Sequence, residues 1–221
     1  MGAERFFVHV SLVEQFTAAA VKTSEAMRQG PPLNADGNAG VDIGAMCLPG
    51  EADRIQGIVD EAIKAGVEVL VGGDYRAARA NGGEGQYYPP TVLVVRDATK
   101  VSKLRLMQHE IFGPLITIIP FEDDDELVEL ANGCPFALGS NVFGADRKRV
   151  RDVGRRISAG MLACNDFATC YMCQSLPMGG TKDSGFGKFA GVEGLRALCL
   201  PKVFRDTRRD IVPFISDVIT A

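Results

Sequence analysis

Apolar positions along this chain recur first with period two and then with period three to four, and the alternation repeats several times. Arg5 to Val10 alternates and is rich in Phe and Val, which predicts a strand. Leu12, Val13, Phe16, Ala20 and Val21 then recur at helical spacing up to Met27, with Ser11 as the expected N-cap and Gly30-Pro31-Pro32 as the stop. A loop rich in Gly, Asp and Asn is expected over 34–44. Glu51 to Ala65 predicts a second amphipathic helix, with Ile55, Ile58, Val59, Ala62 and Ile63 on its apolar face and Gly66 at its C-terminal cap. Val67 to Val71 predicts a buried strand, Arg76 to Gly85 an exposed excursion, and Thr91 to Val95 a strand that Pro89-Pro90 confines to its start. Leu115 to Phe121 is the cleanest apolar strand. Asp123 to Asn132 predicts a helix with acids in the first turn, where the macrodipole favours them. Strands are expected at Leu138 to Phe143 and Gly160 to Cys164, around a very basic helix from Asp146 to Ile157. A short helix follows from Val192 to Cys199, then an edge or exchange strand from Pro201 to Arg205. Strands alternating with helices predict an α/β fold with a mainly parallel sheet flanked by helices.

Composition narrows the class. The chain has 221 residues and a formal net charge of −4, which bounds it to one large domain or one and a half and offers no basic surface for nucleic acid. No apolar run approaches the roughly 18 residues that a membrane-spanning helix needs. The basic helix reads as a solvated face opposite Val150, Val153 and Ile157. Six cysteines are scattered through mostly apolar segments, which suggests buried free thiols in a reducing compartment such as the cytoplasm. Cys170 and Cys173 form a lone CxxC pair, and the two histidines, His9 and His109, are distant from it in sequence, so no metal site is expected.

Two stretches hold candidate chemistry. Glu110-Ile111-Phe112-Gly113-Pro114 places a carboxylate, a ring and a Gly-Pro turn at the mouth of the 115–121 strand. A carboxylate there can accept two hydroxyl hydrogen bonds, as from a ribose, and a ring two residues later can pack against a flat heterocycle. Gly-Pro fixes the turn and keeps bulk away from a ligand. An acidic loop residue beside a core Phe is the plainer alternative. The second stretch, Asn165 to Met178, is nearly uncharged and follows a strand's C-terminal end, a usual place for a ligand in α/β folds. The glycine-rich 179–187 segment fits neither the P-loop nor the GxGxxG register, so its glycines are expected to serve tight turns and close backbone approach.

From Arg5 to about Phe204 these residues resemble the aldehyde dehydrogenase superfamily. The anchors are Glu110-Ile111-Phe112-Gly113-Pro114, Ala137-Leu138-Gly139, Gly160 through Asn165, and Gly179-Gly180-x-Lys182-x-Ser184-Gly185. The run from Phe167 to Ala197 is most similar to a plant, algal and fungal branch. The resemblance implies a Rossmann-like catalytic domain over 1–199, with 200–221 as an oligomerisation strand and tail through which copies of the chain would pair. It also implies NAD or NADP as cofactor, and oxidation of a small-molecule aldehyde to the acid through a cysteine thiohemiacetal. Glu110 matches the position that bonds the nicotinamide ribose and Phe112 the one that packs near the nicotinamide ring. Phe167 falls in the loop lining the aldehyde tunnel, with Asn165 at its base. The family's nucleophile motif is Gly-Gln-x-Cys with an Arg five residues after the Cys. Arg5 looks like that Arg, so the nucleophile is expected just before Met1, and the general-base Glu and oxyanion Asn further upstream. An inactive C-terminal part of the enzyme is therefore the expectation. The alternative is a non-catalytic remnant acting as an interaction module.

Overall fold

The computed structural model describes residues 2–31, 40–76, 86–167 and 169–204. In chain order the elements are β1 (Arg5–His9), α1 (Val13–Ala26), α2 (Glu51–Lys64), β2 (Glu68–Val71), β3 (Thr91–Val94), α3 (Ala98–Val101), α4 (Arg105–Gln108) and β4 (Leu115–Phe121). They continue with α5 (Asp124–Asn132), β5 (Phe136–Ala137), β6 (Gly139–Val142), α6 (Arg147–Arg156), β7 (Met161–Cys164), α7 (Thr169–Met172), β8 (Thr181–Lys182) and α8 (Gly191–Ala197). The main sheet runs β1-β4-β3-β2. The β1–β4 and β3–β4 pairs are parallel, with Arg5 opposite Thr117 and Thr91 opposite Leu115, whereas β2 is antiparallel to β3. Two smaller sheets pair β6 with β7 in parallel and β5 with β8 in antiparallel. The architecture is α/β, mainly parallel and flanked by helices, as the periodicity predicts.

Parity along β3 and β4 sorts the core. Leu93, Leu115 and Ile119 face α2, where Ile55, Ile58, Val59 and Ala62 are buried against them. Val92, Val94 and Ile118 face the other way, against Val13 of α1 with Phe6, Phe16, Ala20 and Val21. Every residue of β3 is buried, as expected of a central strand covered on both faces. Helix α5 and the turn after it join the smaller sheets to this body. Asp124 takes a forked pair from Arg149, Arg156 reaches Asp125, and the Lys182 ammonium donates to the carbonyls of Asn132 and Cys134.

Several expectations are corrected. The β2 strand is an edge strand with alternating exposure, not a buried one, because only one neighbour covers it. Ile63 is exposed on the flank of α2. Ser11 does not cap α1: its N-cap position is Leu12, and the Ser11 hydroxyl bonds His9 Nδ1 instead. The strand expected over 138–143 is observed as β6 over Gly139–Val142, with Leu138 and the exposed Phe143 outside it. Pro201 to Phe204 form no strand and are exposed, while Arg205 lies outside the described residues, as do most of the 34–44 loop, the 76–85 excursion and the tail. The cysteines are not uniformly buried. Cys134 is buried, Cys170 and Cys173 are half-buried, and Cys47, Cys164 and Cys199 are exposed. No helix among the described residues is long and apolar enough to cross a membrane.

Candidate functional site

The pentapeptide 110–114 is held from both sides. From the start of β1, the Glu4 carboxylate accepts the backbone N–H of Ile111 at 2.8 Å and of Phe112 at 2.8 Å, one on each oxygen. From α2, the Arg54 guanidinium donates to the carbonyl of Ile111 at 2.6 Å and of Glu110 at 3.4 Å. Arg54 is itself steadied by Glu51, one turn earlier, at 2.7 Å. Pro114 is fixed by the Thr91 N–H, which donates to its carbonyl at 2.8 Å and extends the β3–β4 ladder. A Cβ on Gly113 would sit 2.5 Å from Ile55 Cδ1, so this glycine lets the loop lie against the buried face of α2.

This clamp fixes an unusual backbone. Phe112 has φ of +53°, in the left-handed region. That conformation costs a residue with a Cβ about 1–2 kcal/mol. Each hydrogen bond to an ionised acceptor is worth about 1.5–3 kcal/mol, so the two bonds to Glu4 outweigh the strain. The consequence is that the Phe112 ring stands 69% exposed instead of joining the core. The plainer alternative from sequence, a core Phe, does not describe it.

Beside that ring, the half-buried Glu110 carboxylate accepts no hydrogen bond and joins no ion pair among the described residues. Its pKa is raised above the ordinary carboxylate value, first by burial and then by the like charge of Glu4, with Arg5 pulling the other way. A carboxyl with neither oxygen bonded among the described residues, two positions from a ring held out of the core, fits a ligand that offers hydroxyls and a flat face. On the α1 side, Gly113 and Pro114 also wall a cleft of about 520 Å³ lined by Phe16, Ala20, Met27 and Ile116.

The second stretch is built differently. Asn165 also has positive φ, +53°, and its amide is spent on Gly144: Oδ1 accepts the Gly144 N–H at 2.8 Å and Nδ2 donates to the Gly144 carbonyl at 2.9 Å. It pins the loop after β7 to the loop after β6. Phe167, two residues on, is 55% exposed, its N–H tied to the Asp166 carboxylate. Among the described residues no hydrogen bond links 110–114 to 165–178, so the structure keeps the two stretches as separate constructions. Cys173 contacts the Ser175 hydroxyl at 3.2 Å, and that bond, with backbone N–H groups, holds its thiol pKa below the ordinary value. Cys170 donates to the Leu162 carbonyl.

Glu4 and Arg54 were not legible as site residues. Glu4 precedes the first strand with no motif around it, and Arg54 reads as an ordinary surface position of an amphipathic helix. The sole hint was that both lie near apolar segments that must meet the pentapeptide if the sheet closes.

With this geometry in hand, comparison with known proteins gives a consistent picture. The profile of the aldehyde dehydrogenase family matches residues 1–204. An aldehyde dehydrogenase-like protein of Saccharomyces cerevisiae is 40% identical over 197 residues, covering 89% of this chain and 29% of that protein. An NADP-dependent succinate-semialdehyde dehydrogenase of Mycobacterium ulcerans is 33% identical over 199 residues, covering 90% of this chain and 40% of that protein. Among solved structures, a betaine aldehyde dehydrogenase of Staphylococcus aureus in complex with NAD+ superposes with a TM-score of 0.78 at 27% identity, covering 96% of this chain and 41% of that one. The chain thus spans well under half the length of each of these relatives.

Proposed function

We propose a function from one premise: this chain belongs to the aldehyde dehydrogenase family. It forms the part of an NAD- or NADP-dependent aldehyde dehydrogenase that receives the ribose and nicotinamide of the dinucleotide and lines one side of the aldehyde's approach. The enzyme it belongs to converts an aldehyde to a carboxylic acid. One observation carries the reading: a Glu110 carboxylate with no hydrogen-bond or ion-pair partner among the described residues, two positions from a Phe112 ring that the backbone clamp keeps out of the core. The neighbours agree in chemistry, one solved with NAD+ and another named for NADP.

A bound nicotinamide dinucleotide supplies the hydride acceptor. The chain's own residues orient it. Ionised Glu110 accepts two ribose hydroxyl hydrogens, and the Phe112 ring packs against the nicotinamide and excludes water from that side. Asn165 pins the loop that presents Phe167, whose ring forms an apolar wall for the aldehyde. None of the six cysteines lies in a Gly-Gln-x-Cys motif, so these 221 residues alone are expected to leave aldehydes unoxidised. The test is fluorescence titration of NAD+ and NADP+ into the complete product of the gene, wild type against Glu110→Gln. A loss of affinity of about tenfold is expected for a charge-assisted pair of hydroxyl contacts. Unchanged affinity in the variant, or aldehyde turnover by the 221 residues that disappears in Cys173→Ser, would overturn the reading.

A second reading has its own observation. Leu198, Leu200, Val203 and Phe204 are each 84% exposed or more, an apolar run with nothing over it among the described residues. In that reading the chain is an interaction module that pairs with a full-length relative or a second copy of itself through this run. Co-purification with a full-length aldehyde dehydrogenase, abolished by Leu200→Asp with Val203→Asp, supports it. A monomeric chain that binds no relative at micromolar concentration sinks it.

A further inference from the structure

We infer that Glu4 is a positioning residue for dinucleotide binding: by accepting the N–H groups of Ile111 and Phe112 it sets the turn that aims Glu110 and Phe112 at the cofactor. The inference rests on the reading of Glu110 and Phe112 given above and adds to it a residue that touches neither cofactor nor substrate. Glu4 lies more than a hundred residues before the loop it organises, so the contact is tertiary. Its two oxygens are used separately, Oε2 for Ile111 and Oε1 for Phe112, each at 2.8 Å. Its own backbone is fixed to the same strand, because the Thr117 N–H donates to the Glu4 carbonyl at 3.0 Å. The carboxylate is therefore held at a set height against β4.

Other groups in the clamp do different work. Arg54 ties the carbonyls of Glu110 and Ile111 and so prevents the loop from lifting off α2. Its bond to the Ile111 carbonyl holds the same peptide plane whose N–H, that of Phe112, is taken by Glu4, so the two side chains grip that plane from opposite edges. No other acceptor among the described residues is bonded to the Phe112 N–H, so Glu4 alone holds the N–H edge of that plane while φ sits at +53°. Without Glu4 only the carbonyl edge of the plane stays held, and the residue can relax toward the right-handed or extended regions that its Cβ prefers. That rotation turns the ring away from where it now stands and moves the Glu110 side chain next to it. Loss of Glu4 should thus weaken the dinucleotide site without touching the aldehyde wall at Phe167, which is carried by a separate loop.

The experiment uses the complete product of the gene as wild type, Glu4→Ala, Glu4→Gln and Glu110→Gln, with Glu68→Gln as a control in the exposed pair with Arg96. Three readouts are taken: dissociation constants for NAD+ and NADP+ by fluorescence, KM for dinucleotide and for aldehyde separately, and amide hydrogen exchange at Ile111 and Phe112. Removing both charged acceptors in E4A is expected to raise the dinucleotide Kd and KM about tenfold, and E4Q, which keeps one acceptor and the side chain's volume, about threefold. Exchange at Ile111 and Phe112 should accelerate in the same order, the aldehyde KM should stay within about twofold, and E68Q should match wild type. Should E4A fail to fold, E4Q carries the same comparison. If E110Q weakens dinucleotide binding while E4A and E4Q do not, the positioning role is wrong and the reading of Glu110 stands. If E110Q has no effect either, both fall together. A rise in both KM values alike, with general loss of exchange protection, would mark Glu4 as merely structural and overturn the inference.

Discussion

Gly160→Ala should be among the most damaging small substitutions in this chain, and the structure says why. A Cβ at position 160 would lie 1.7 Å from the Gly179 carbonyl oxygen, 2.7 Å from its carbon and 2.9 Å from Gly180 Cα. Non-bonded carbon atoms settle at about 3.5 Å or more, so the 179–180 backbone has to retreat by well over an ångström. All three obstacles are main-chain atoms, and no side-chain rotation relieves them. Neither side is free to move. The Gly160 N–H donates to the Ala137 carbonyl at 3.1 Å, and the Gly179 carbonyl accepts the Lys188 ammonium at 2.8 Å. Overpacking costs about 1–3 kcal/mol, and a strained or lost bond to a charged donor adds about 1.5 kcal/mol. A total near 3 kcal/mol lowers the melting temperature by about 6–12 °C for a chain of this size. Thermal melts and urea unfolding followed by far-UV circular dichroism measure it. Gly187→Ala is the control from the same glycine-rich segment: its Cβ meets nothing within 4 Å, so a change below about 0.5 kcal/mol is expected. A G160A protein that melts within about 2 °C of wild type would refute the argument that close backbone approach explains these glycines.

Two further substitutions probe the core and the contact between α5 and α6. Ile55→Ala removes a fully buried side chain that packs under the pentapeptide, and should cost about 2–5 kcal/mol by denaturant unfolding; a cost under about 1 kcal/mol would mean that α2 is not packed as described. Asp124→Asn breaks the forked contact with Arg149. That contact holds the Asp124 carboxyl below its ordinary pKa, the side-chain bond to Arg149 being the main cause. A depressed folded pKa means stability that is present above the ordinary carboxylate value and lost as pH falls through the depressed one. The variant should therefore melt below wild type at neutral pH, with the gap closing on acidification; a gap that widens in acid would refute the assignment.

How much of this was legible in the sequence depended on how far each interaction reaches along the chain. Strand β4 and helix α2 could be read because their patterns are local: the parity of Leu115, Ile118 and Ile119 and the spacing of Ile55, Ile58, Val59 and Ala62 need no partner to be seen. The close approach of Gly160 to Gly179 was likewise foreshadowed by glycines with no phosphate-binding register. Burial of β2 could not be read, because Glu68–Val71 is apolar enough for a central strand and only the sheet order makes it an edge. Nor could the exposure of Cys164 and Cys199 be read, because both sit beside apolar residues in sequence yet are exposed in space. At the site, Glu110 and Phe112 were visible as a motif, yet what makes them a site was not. Glu4 and Arg54 act across 107 and 57 positions of sequence, and a carboxylate accepting two N–H groups leaves no periodic signal. Asn165 was visible as a residue, but only its two bonds to Gly144 show that its amide is occupied in pinning a loop.

Glu110 shows why such a residue is kept at a cost to the fold. Its folded pKa is raised, burial being the first cause and Glu4 the second. A carboxyl with a raised folded pKa binds its proton more readily in the native state than in the unfolded one. Its contribution is therefore most favourable below the ordinary carboxylate value, and it is lost as pH rises through the raised one. At neutral pH the native state holds a half-desolvated charge with no hydrogen-bond or ion-pair partner among the described residues, a penalty that Glu110→Gln removes. The variant should melt higher than wild type at neutral pH, and the difference should shrink as pH falls from the raised value towards the ordinary one of about 4.3 and be gone below it. Dinucleotide binding should move in the opposite sense. In wild type it needs the ionised form and weakens as pH falls through the raised value, whereas in E110Q it should be weak throughout and flat with pH. Gained stability with lost binding in one substitution is the signature of a group placed for a ligand. Melting curves across pH and dinucleotide titrations on the same two proteins decide it. An E110Q protein that is less stable than wild type at neutral pH would show that Glu110 serves the fold, and the site would have to be sought elsewhere.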